Sequence, residues 1–245
     1  MEKLRFDDLI IEITRKCNMS CNHCLRGDAQ NKDIDFKHID TLLDKTREIN
    51  CVVFTGGEPS LNPEAINYFV EGCEKRGIYV SHFFIATNTK EVTEKFLMSI
   101  IKLYCYCDNK NFCMIGISND QYHEIDENNK EILKAFRFAR YRYTNRDDTE
   151  KIYVRRGAEL INQGRYKENY NNGTDLKLSP ISIEDESDGR IESNIYLNCN
   201  GNIINGCDWS YKNQNSPKRI ICHVDDLGIE SIINYNQKQF KVEYA

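Results

Sequence analysis

Short apolar runs alternate along this chain with segments whose apolar residues recur every three to four positions. The runs, rich in β-branched and aromatic residues, lie at 9–14, 52–55, 79–87, 114–118 and 152–155. Such runs are typical of strands, and the segments between them are typical of amphipathic helices. Strands that alternate with helices form parallel sheets with crossover helices, so the pattern predicts an α/β fold.

Helix boundaries follow from capping residues. The first predicted helix begins after Asp35, a good N-cap, and it carries apolar residues at helical spacing. These residues are Phe36, Ile39, Leu42, Leu43 and Ile49. The second helix begins at Asn62 and Pro63 and ends at Gly77, and two more are predicted at 91–104 and 130–141. About five strand–helix units result, fewer than the eight of a closed barrel.

The C-terminal third has a different pattern. Residues 166–194 are polar and poor in large aliphatic side chains, which predicts a linker or an insertion. Beyond them, apolar pairs flank Asn200 and Gly201, a hairpin signal. The sequence therefore predicts an α/β unit over 1–165, a polar segment over 166–194 and a hairpin extension over 195–245.

Charge and composition narrow the class of protein. The chain has 245 residues and a formal charge of −5, with acids and bases interspersed and no long basic block. Nucleic acid is therefore disfavoured as a partner. No apolar signal region stands at the N-terminus and no run is long enough to span a bilayer, so no membrane partner is expected. The eleven cysteines then indicate cytoplasmic ligands and core residues rather than disulfides.

Three of these cysteines are closely spaced on the loop after the first predicted strand. Cys17, Cys21 and Cys24 form a C-x3-C-x2-C pattern. Three thiolates on one short loop can converge on a metal centre, and sulfur ligands favour iron–sulfur clusters, zinc or copper(I). Structural zinc would need a fourth protein ligand. A four-iron cluster held by three thiolates leaves one iron open to a substrate or cofactor.

A second motif directly follows the next apolar run. Gly56 and Gly57 allow close backbone approach to a ligand, Glu58 offers a carboxylate to a cation, and Pro59 stiffens the exit. Together, ITRKCNMSCNHC and FTGGEPSLNP resemble the radical S-adenosylmethionine (radical SAM) superfamily. The resemblance implies that the three cysteines hold a 4Fe-4S cluster and that the GGEP segment binds the methionine amino group of S-adenosylmethionine.

The resemblance also implies a fold and further site residues. The expected fold is α/β, a partial (β/α)6-type TIM barrel with a small C-terminal β-hairpin extension. Polar residues at the strand ends resemble the family's contacts to the ribose and carboxylate of S-adenosylmethionine, although strand-end turns and helix caps use the same residue types. These residues are Asn88, Ser118, Asp120 and Arg155. His23 matches a position near the adenine, where it either contacts the base or orients the loop.

Other cysteines leave alternatives open. The C-terminal hairpin segment resembles the extensions called SPASM or twitch, which hold auxiliary clusters. Its cysteines are Cys199, Cys207 and Cys222. The match is partial, because the glycine-to-cysteine step is one residue too long. The three are either ligands of one auxiliary cluster or core thiols of a vestigial hairpin. The second alternative, in which the whole protein holds a single cluster, is favoured. Three further thiols near the end of the third helix are expected to be buried core residues. They are Cys105, Cys107 and Cys113.

The resemblance implies the reaction but leaves its substrate open. A one-electron donor such as flavodoxin or ferredoxin would reduce the cluster, S-adenosylmethionine would be cleaved, and the 5'-deoxyadenosyl radical would remove hydrogen from a substrate. A peptide is the leading substrate. The alternatives are a small-molecule or deazapurine-forming enzyme, a glycyl-radical-enzyme activase, and, in a different class, a noncatalytic zinc or iron–sulfur binding module.

Overall fold

A computed structural model describes residues 3–118, 123, 126–136, 140–141, 160–185 and 188–242. The first half of the chain alternates strands with helices, as the sequence pattern predicts. Its elements are β1 (Leu4–Thr14), α1 (Phe36–Asp44), β2 (Thr46–Gly56), α2 (Pro63–Arg76), β3 (Tyr79–Thr87), α3 (Glu94–Tyr106), β4 (Met114–Ile117), α4 (Glu127–Lys134) and β5 (Arg140–Tyr141). A short 3-10 helix at Pro59–Leu61 precedes α2.

The second half is built from shorter elements. They are α5 (Gly164–Asn169), β6 (Ile183–Asp185), β7 (Arg190–Ile191), β8 (Ile195–Leu197), β9 (Asn202–Asn205), β10 (Ile220–His223) and α6 (Ile229–Phe240). Two 3-10 helices, Asn213–Asn215 and Val224–Asp226, connect the last of them.

One ten-stranded sheet joins the two halves. Strands β1 to β5 lie side by side and are all parallel, which confirms the α/β fold. In the described residues the sheet ends at β5 on one side and at β10 on the other, so it is an open, partial barrel. The predicted hairpin is confirmed as the antiparallel pair β8 and β9, with Gly201 at its turn (φ +80°). Strand β8 pairs in parallel with β1, so the hairpin continues the same sheet.

The two faces of the sheet bury different residues. Leu9, Ile11, Val52 and Phe54 belong to the main core, together with the inward faces of the helices, such as Phe69 of α2. The opposite, concave face carries a smaller apolar cluster of Ile10, Tyr196, Ile204 and Trp209. Because alternate residues of a strand point to opposite faces, β1 contributes to both clusters.

Most predicted helix ends agree with the structure. Asp35 accepts a hydrogen bond from the Lys37 amide and caps α1, and Gly77 ends α2 with φ +64°. Asn62 precedes α2 as predicted, but its side chain donates to the Ile13 carbonyl at 2.7 Å and ties α2 to the end of β1. The local capping chemistry thus also fastens a helix to the strand beside it.

Three predicted boundaries are wrong or untested. Helix α1 ends at Asp44, and Ile49 lies in β2, where it pairs with Phe6 of β1 and Val80 of β3. Sheet pairing therefore overrides the helical spacing at this position. The helix predicted at 130–141 ends at Lys134, and the strand predicted at 152–155 lies outside the described residues. No helix in the described part of the chain is long and apolar enough to cross a membrane.

Candidate active site

The predicted site residues follow the ends of three neighbouring strands. Strands β1, β2 and β3 end at Thr14, Gly56 and Thr87, and Thr14 pairs directly with Gly56. The cysteine loop follows β1, the GGEP segment follows β2, and Asn88 follows β3. The carboxyl ends of parallel strands meet at one edge of a sheet, which is where α/β folds bind ligands. The fold therefore brings all three segments to one place.

The cysteine loop carries three free thiols in similar surroundings. Cys17, Cys21 and Cys24 are all half-buried, and a turn joins two of them, with the Cys24 amide donating to the Cys21 carbonyl at 3.1 Å. Burial raises the pKa of the Cys17 thiol, and the charges of Glu58, Cys24 and Cys21 raise it further. The three sulfur atoms and the Glu58 carboxylate thus influence one another at the mouth of the sheet.

The donor set fits an iron–sulfur cluster in its chemistry. Three thiols on one loop are soft ligands of the kind that clusters use. Among the described residues, no group of three Cys, His, Asp or Glu side chains is placed to hold a single metal ion. Each thiolate of a four-iron cluster binds a different iron atom, so ligands of a cluster do not need the close spacing of a single-ion site.

Two glycines form a narrow cradle against the start of the cysteine loop. Gly56 has φ +152°, and a Cβ atom added there would lie 2.0 Å from the Thr14 carbonyl oxygen. A Cβ atom at Gly57 would lie 2.1 Å from the Lys16 carbonyl oxygen. The amides of Gly57 and Glu58 donate to these same two carbonyls at 2.9 and 2.8 Å. Only glycine allows this approach, so the motif and the loop are held as one backbone unit.

Glu58 is a buried carboxylate whose hydrogen-bond donors are neutral. Only 1% of the residue is exposed. Its oxygens accept hydrogen bonds from the Thr87 hydroxyl (2.7 Å), the Asn88 amide (2.8 Å) and the Ser60 amide (3.2 Å). Burial raises its pKa in spite of these bonds. Pro59, the next residue, begins the short 3-10 helix that leaves the site. A cationic ligand would stabilise the ionised form of this carboxylate.

Asn88 connects β3 to the cysteine loop. Its Nδ2 atom lies 2.9 Å from Asn18 Oδ1 and 3.9 Å from Cys17 Sγ. The next residue, Thr89, is buried and adopts φ +62°, which is strained for a β-branched residue. The sequence analysis missed Thr89, because nothing in a strand-end threonine signals a left-handed backbone. The strained turn fixes Asn88 beside the thiol.

Of the four remaining residues predicted to contact the cofactor, the structure describes only two. His23 is half-buried on the cysteine loop, and its ring centroid lies 4.9 Å from that of His123. Ser118 follows β4, and its amide donates to the Thr87 carbonyl at 2.9 Å, so it lies beside the end of β3. Asp120 and Arg155 lie outside the described residues. Their contacts with a cofactor therefore stay predictions.

The structure does not gather the three C-terminal cysteines. Cys199 packs in the main core, with its sulfur 3.1 Å from the Glu12 carbonyl oxygen, and Cys222 packs against the same core. Cys207 lies against the smaller cluster on the concave face. Burial raises the pKa of Cys207 and Cys222 to about 11, which keeps both thiols protonated near neutral pH. Cys199 is thus a buried core thiol, whereas Cys207 and Cys222 are half-buried at the edges of two different clusters.

The thiols after α3 are only partly as expected. Cys107 and Cys113 are buried, as predicted, whereas Cys105 is exposed, so that prediction is wrong for one of the three. Cys105 lies in the last turn of α3, on the side that faces away from the core. Position near a helix end did not reveal which side it would occupy.

Sequence analysis also missed a buried polar network below the cysteine loop. Its centre is Glu12, which is fully buried on the concave face of β1 and pairs with Arg15 at 2.6 Å. Tyr196 of β8 and Gln214 donate to the same carboxylate at 2.7 and 2.8 Å. The signal in the sequence was a single glutamate within the apolar run of β1. The network links the base of the cysteine loop to the C-terminal part of the chain.

Comparison with known proteins agrees with this geometry. Residues 11–108 match the Radical SAM superfamily, a segment that contains the cysteine loop, the GGEP motif and Asn88. An uncharacterized protein of Methanocaldococcus jannaschii is 36% identical over 100 residues, which are 39% of this chain. The matched segment spans 35% of that relative's length.

Two solved structures share the fold over nearly the whole chain. The protein anSMEcpe with bound AdoMet superposes with a TM-score of 0.57 and 14% sequence identity, covering 96% of this chain and 83% of its own. The same protein with bound AdoMet and a Cp18Cys peptide superposes with a TM-score of 0.56 and 11% sequence identity, covering 97% of this chain and 83% of its own. At these identities the likeness concerns the fold.

Proposed function

We propose that this chain, whose residues 11–108 match the Radical SAM superfamily, is an enzyme that cleaves S-adenosylmethionine reductively to start a radical reaction. The observation that carries the proposal is the joint placement of three segments at one sheet edge. Three thiols, a glycine cradle and a buried carboxylate lie at the ends of β1, β2 and β3. Each is the kind of group that the cofactor pair requires.

The residues divide the work between the two cofactors. Cys17, Cys21 and Cys24 would hold a 4Fe-4S cluster. Once reduced by one electron, a cluster of this kind supplies the electron that splits S-adenosylmethionine into methionine and a 5'-deoxyadenosyl radical. Glu58 accepts the methionine ammonium, because its carboxylate is buried among neutral donors. Asn88 holds the Cys17 sulfur close to the end of β3.

The backbone contributes as much as the side chains. Because Gly56 and Gly57 carry no Cβ, the end of β2 approaches the start of the cysteine loop closely, and the Gly57 and Glu58 amides fix the two segments together. His23, Ser118, Asp120 and Arg155 are proposed as further contacts to the cofactor. The substrate is proposed to lie on the same side of the sheet as the buried apolar cluster around Ile10 and Trp209.

A peptide is the proposed substrate. The support is the overall likeness to a structure that holds AdoMet together with a peptide, at a TM-score of 0.56. The proposed electron donor is a flavodoxin or ferredoxin, since the reaction consumes one electron. We place the protein in the cytoplasm, because all eleven cysteines are free and a reducing compartment keeps them so.

The test is anaerobic reconstitution followed by reduction in the presence of S-adenosylmethionine. We expect iron and sulfide in the purified protein, a broad visible absorption, and release of 5'-deoxyadenosine when dithionite is added. A Cys21→Ala variant, prepared in the same way, serves as the blank. Zinc in place of iron, with no 5'-deoxyadenosine, would instead favour a noncatalytic binding module.

A further inference from the structure

The cysteine loop is held at its two ends by different parts of the chain. Its start is fixed by the GGEP segment, and Asn88 Nδ2 lies 3.9 Å from Cys17 Sγ. Its end is fixed by a much later segment, because the Arg165 amide donates to the Cys24 carbonyl at 3.0 Å. The two outer cysteines of the loop thus have separate supports.

The later segment is a compact loop of residues 160–175, which we call the docking loop. Its two ends meet, since the Asn162 amide donates to the Thr174 carbonyl at 2.9 Å and the Thr174 amide donates to the Leu160 carbonyl at 2.8 Å. The Asn162 side chain adds two bonds, accepting from the Gly173 amide at 2.9 Å and donating to the Gly173 carbonyl at 2.7 Å. These internal bonds let the docking loop act as a unit.

Gly164 brings the docking loop into backbone contact with the cysteine loop. It adopts φ +50°, and a Cβ atom added there would lie 2.7 Å from the Cys24 carbonyl oxygen and 2.5 Å from the Leu25 carbonyl oxygen. The same atom would lie 2.5 Å from the Gly27 amide nitrogen. All three distances are shorter than a van der Waals contact, so only glycine lets the two backbones meet here.

Two side chains of the docking loop extend this contact. Asn169 Nδ2 donates to the Asn22 carbonyl at 3.0 Å, and Arg165 Nη1 pairs with Asp28 Oδ1 at 3.2 Å. The two acceptors lie before and after Cys24 in the sequence, so the docking loop spans the end of the cysteine loop. The Asp28 side chain is 89% exposed, and its ion pair therefore contributes little. The backbone contacts and the Asn169 bond carry most of the docking.

The docking loop is itself anchored on the C-terminal part of the chain. Gln163 is buried, and its Oε1 accepts hydrogen bonds from Asn213 Nδ2 at 2.5 Å and from the Ser210 amide at 3.4 Å. The Tyr211 amide donates directly to the Arg26 carbonyl at 3.0 Å. The same short segment of the C-terminal chain therefore contacts both the docking loop and the end of the cysteine loop.

We propose that the docking loop positions Cys24 as a ligand of the cluster, independently of the contacts that position Cys17. The inference rests on the proposed function, which makes Cys24 a ligand. Gly164 and Asn169 are positioning residues, because their contacts are with the backbone of the cysteine loop. A loop that is fixed at both ends before iron binds holds its thiols near their final places, so less ordering entropy opposes cluster assembly.

The test measures how fast iodoacetamide labels each thiol of the metal-free protein, with tandem mass spectrometry to assign the label to Cys17 or Cys24. Labelling of a half-buried thiol requires local opening of its loop. Gly164→Ala pushes a Cβ atom into the cysteine loop, so Cys24 should react at least about tenfold faster, while Cys17 keeps its wild-type rate. Gly77→Ala is the matched control, because it has a similar left-handed backbone (φ +64°) with nothing within 4 Å of the added carbon. It should leave both rates unchanged.

Removing single contacts should separate the two supports without adding an atom. Asn169→Ala deletes one hydrogen bond to the cysteine loop, so it should raise the labelling rate of Cys24 about two- to tenfold. Asn88→Ala should raise the labelling rate of Cys17 and leave that of Cys24 unchanged. Lys167→Ala, at an exposed position of α5, should change neither rate.

The pattern of labelling decides the role of the docking loop. Equal acceleration of Cys17 and Cys24 in the Gly164→Ala protein would overturn the inference, because the two ends would then not be held independently. A Cys24 rate equal to that of the Gly77→Ala protein would overturn it as well. If Gly164→Ala fails to fold, the Asn169→Ala protein decides by the same criterion.

A second measurement separates this inference from the proposed function. After anaerobic reconstitution, Gly164→Ala should release iron to a chelator at least about tenfold faster than Gly77→Ala, because one ligand is less firmly held. A wild-type protein that binds no cluster would contradict the proposed function itself. A normal cluster in wild type, with unchanged labelling and iron release in the Gly164→Ala protein, would contradict only the role of the docking loop.

Discussion

Two sets of three cysteines in this chain lie in different surroundings. Cys17, Cys21 and Cys24 lie on one half-buried loop at the mouth of the sheet. The other set is divided between two packed regions on opposite faces of the sheet, with two members at the main core and one at the concave cluster. Its members are Cys199, Cys207 and Cys222. We therefore propose a ligand set from the position of the cysteines relative to the strand ends, and not from their number.

The difference extends to the backbone around each set. The first loop lies against two glycines that a Cβ atom would push into its carbonyls, and against a buried carboxylate. The second set has apolar neighbours and a hairpin turn at Gly201 that packs between His38 and His223. The first region lies at the strand ends, where α/β folds bind ligands, and the second packs against the two apolar clusters of the sheet. Four predictions test this contrast, beginning with the largest effect.

Removing one thiol from each set should give opposite results. Cys21→Ala should abolish cluster binding and 5'-deoxyadenosine formation, because two thiolates do not retain a cluster that needs three. Cys222→Ala should keep both, because that thiol packs against the main core. Iron analysis and product chromatography measure the outcome. Full activity of the Cys21→Ala variant would contradict the proposed difference between the two sets of cysteines.

The glycine cradle should tolerate no side chain. Gly56→Ala places a Cβ atom 2.0 Å from a backbone oxygen at φ +152°, and we expect it to lower the free energy of unfolding by at least about 2 kcal/mol. Gly228→Ala is the matched control, because nothing lies within 4 Å of its added carbon, and it should cost about 1 kcal/mol or less. Chemical denaturation measures both. Equal stabilities would show that the motif is not close-packed against the loop.

The Glu58 carboxylate of the GGEP segment should affect the binding of S-adenosylmethionine and not the binding of the iron–sulfur cluster. Glu58→Gln removes the charge that would pair with the methionine ammonium, so affinity for S-adenosylmethionine should fall roughly ten- to a hundredfold. Iron content should stay unchanged. Glu64→Gln, an exposed position in the first turn of α2, should bind normally. Anaerobic calorimetry provides the affinities, and an unaltered value for the Glu58 variant would mean that its role is misassigned.

The smallest effect concerns how the extension packs on α1. Burial, and then His223, lower the pKa of His38 below 6.5. The unfolded state then binds more protons, so stability is full above about pH 6.5 and falls as pH decreases through the folded-state pKa. His38→Gln should lose less stability than wild type in thermal melts between about pH 7.5 and about pH 5.5, by about 1 kcal/mol or less. His82 leaves a residual pH dependence, since burial lowers its pKa too. Identical losses would show that His38 does not report on this contact.

Much of the first half of the fold could be predicted because its signals are local. The strand at Tyr79–Thr87 matches its prediction, and Asp35 and Gly77 cap their helices as the sequence indicates. The cysteine loop and the GGEP segment were identified from the two motifs together and from the family resemblance that they carry. Ile49 was misplaced because its apolar spacing fits a helix, while its pairing partners on β1 and β3 are distant in sequence.

The parts that could not be predicted depend on long-range contacts. Glu12 meets Gln214 across 202 positions of the chain, and no local pattern specifies that contact. The pairing of β8 with β1 is equally non-local, so the sequence indicated a hairpin but not that it would continue the main sheet. The strained backbone of Thr89 has no sequence signature at all. The candidate ligands could thus be proposed from the sequence, and the buried network below their loop could not.

The most direct test of the account compares two triple variants by iron content. Wild type, after anaerobic reconstitution, should contain about four irons per chain, since one cubane contributes four. Replacing Cys199, Cys207 and Cys222 together with Ala should leave about four, and replacing Cys17, Cys21 and Cys24 should leave none. A wild-type content near eight that falls by half in the first variant would contradict the account, because the C-terminal thiols would then be ligands.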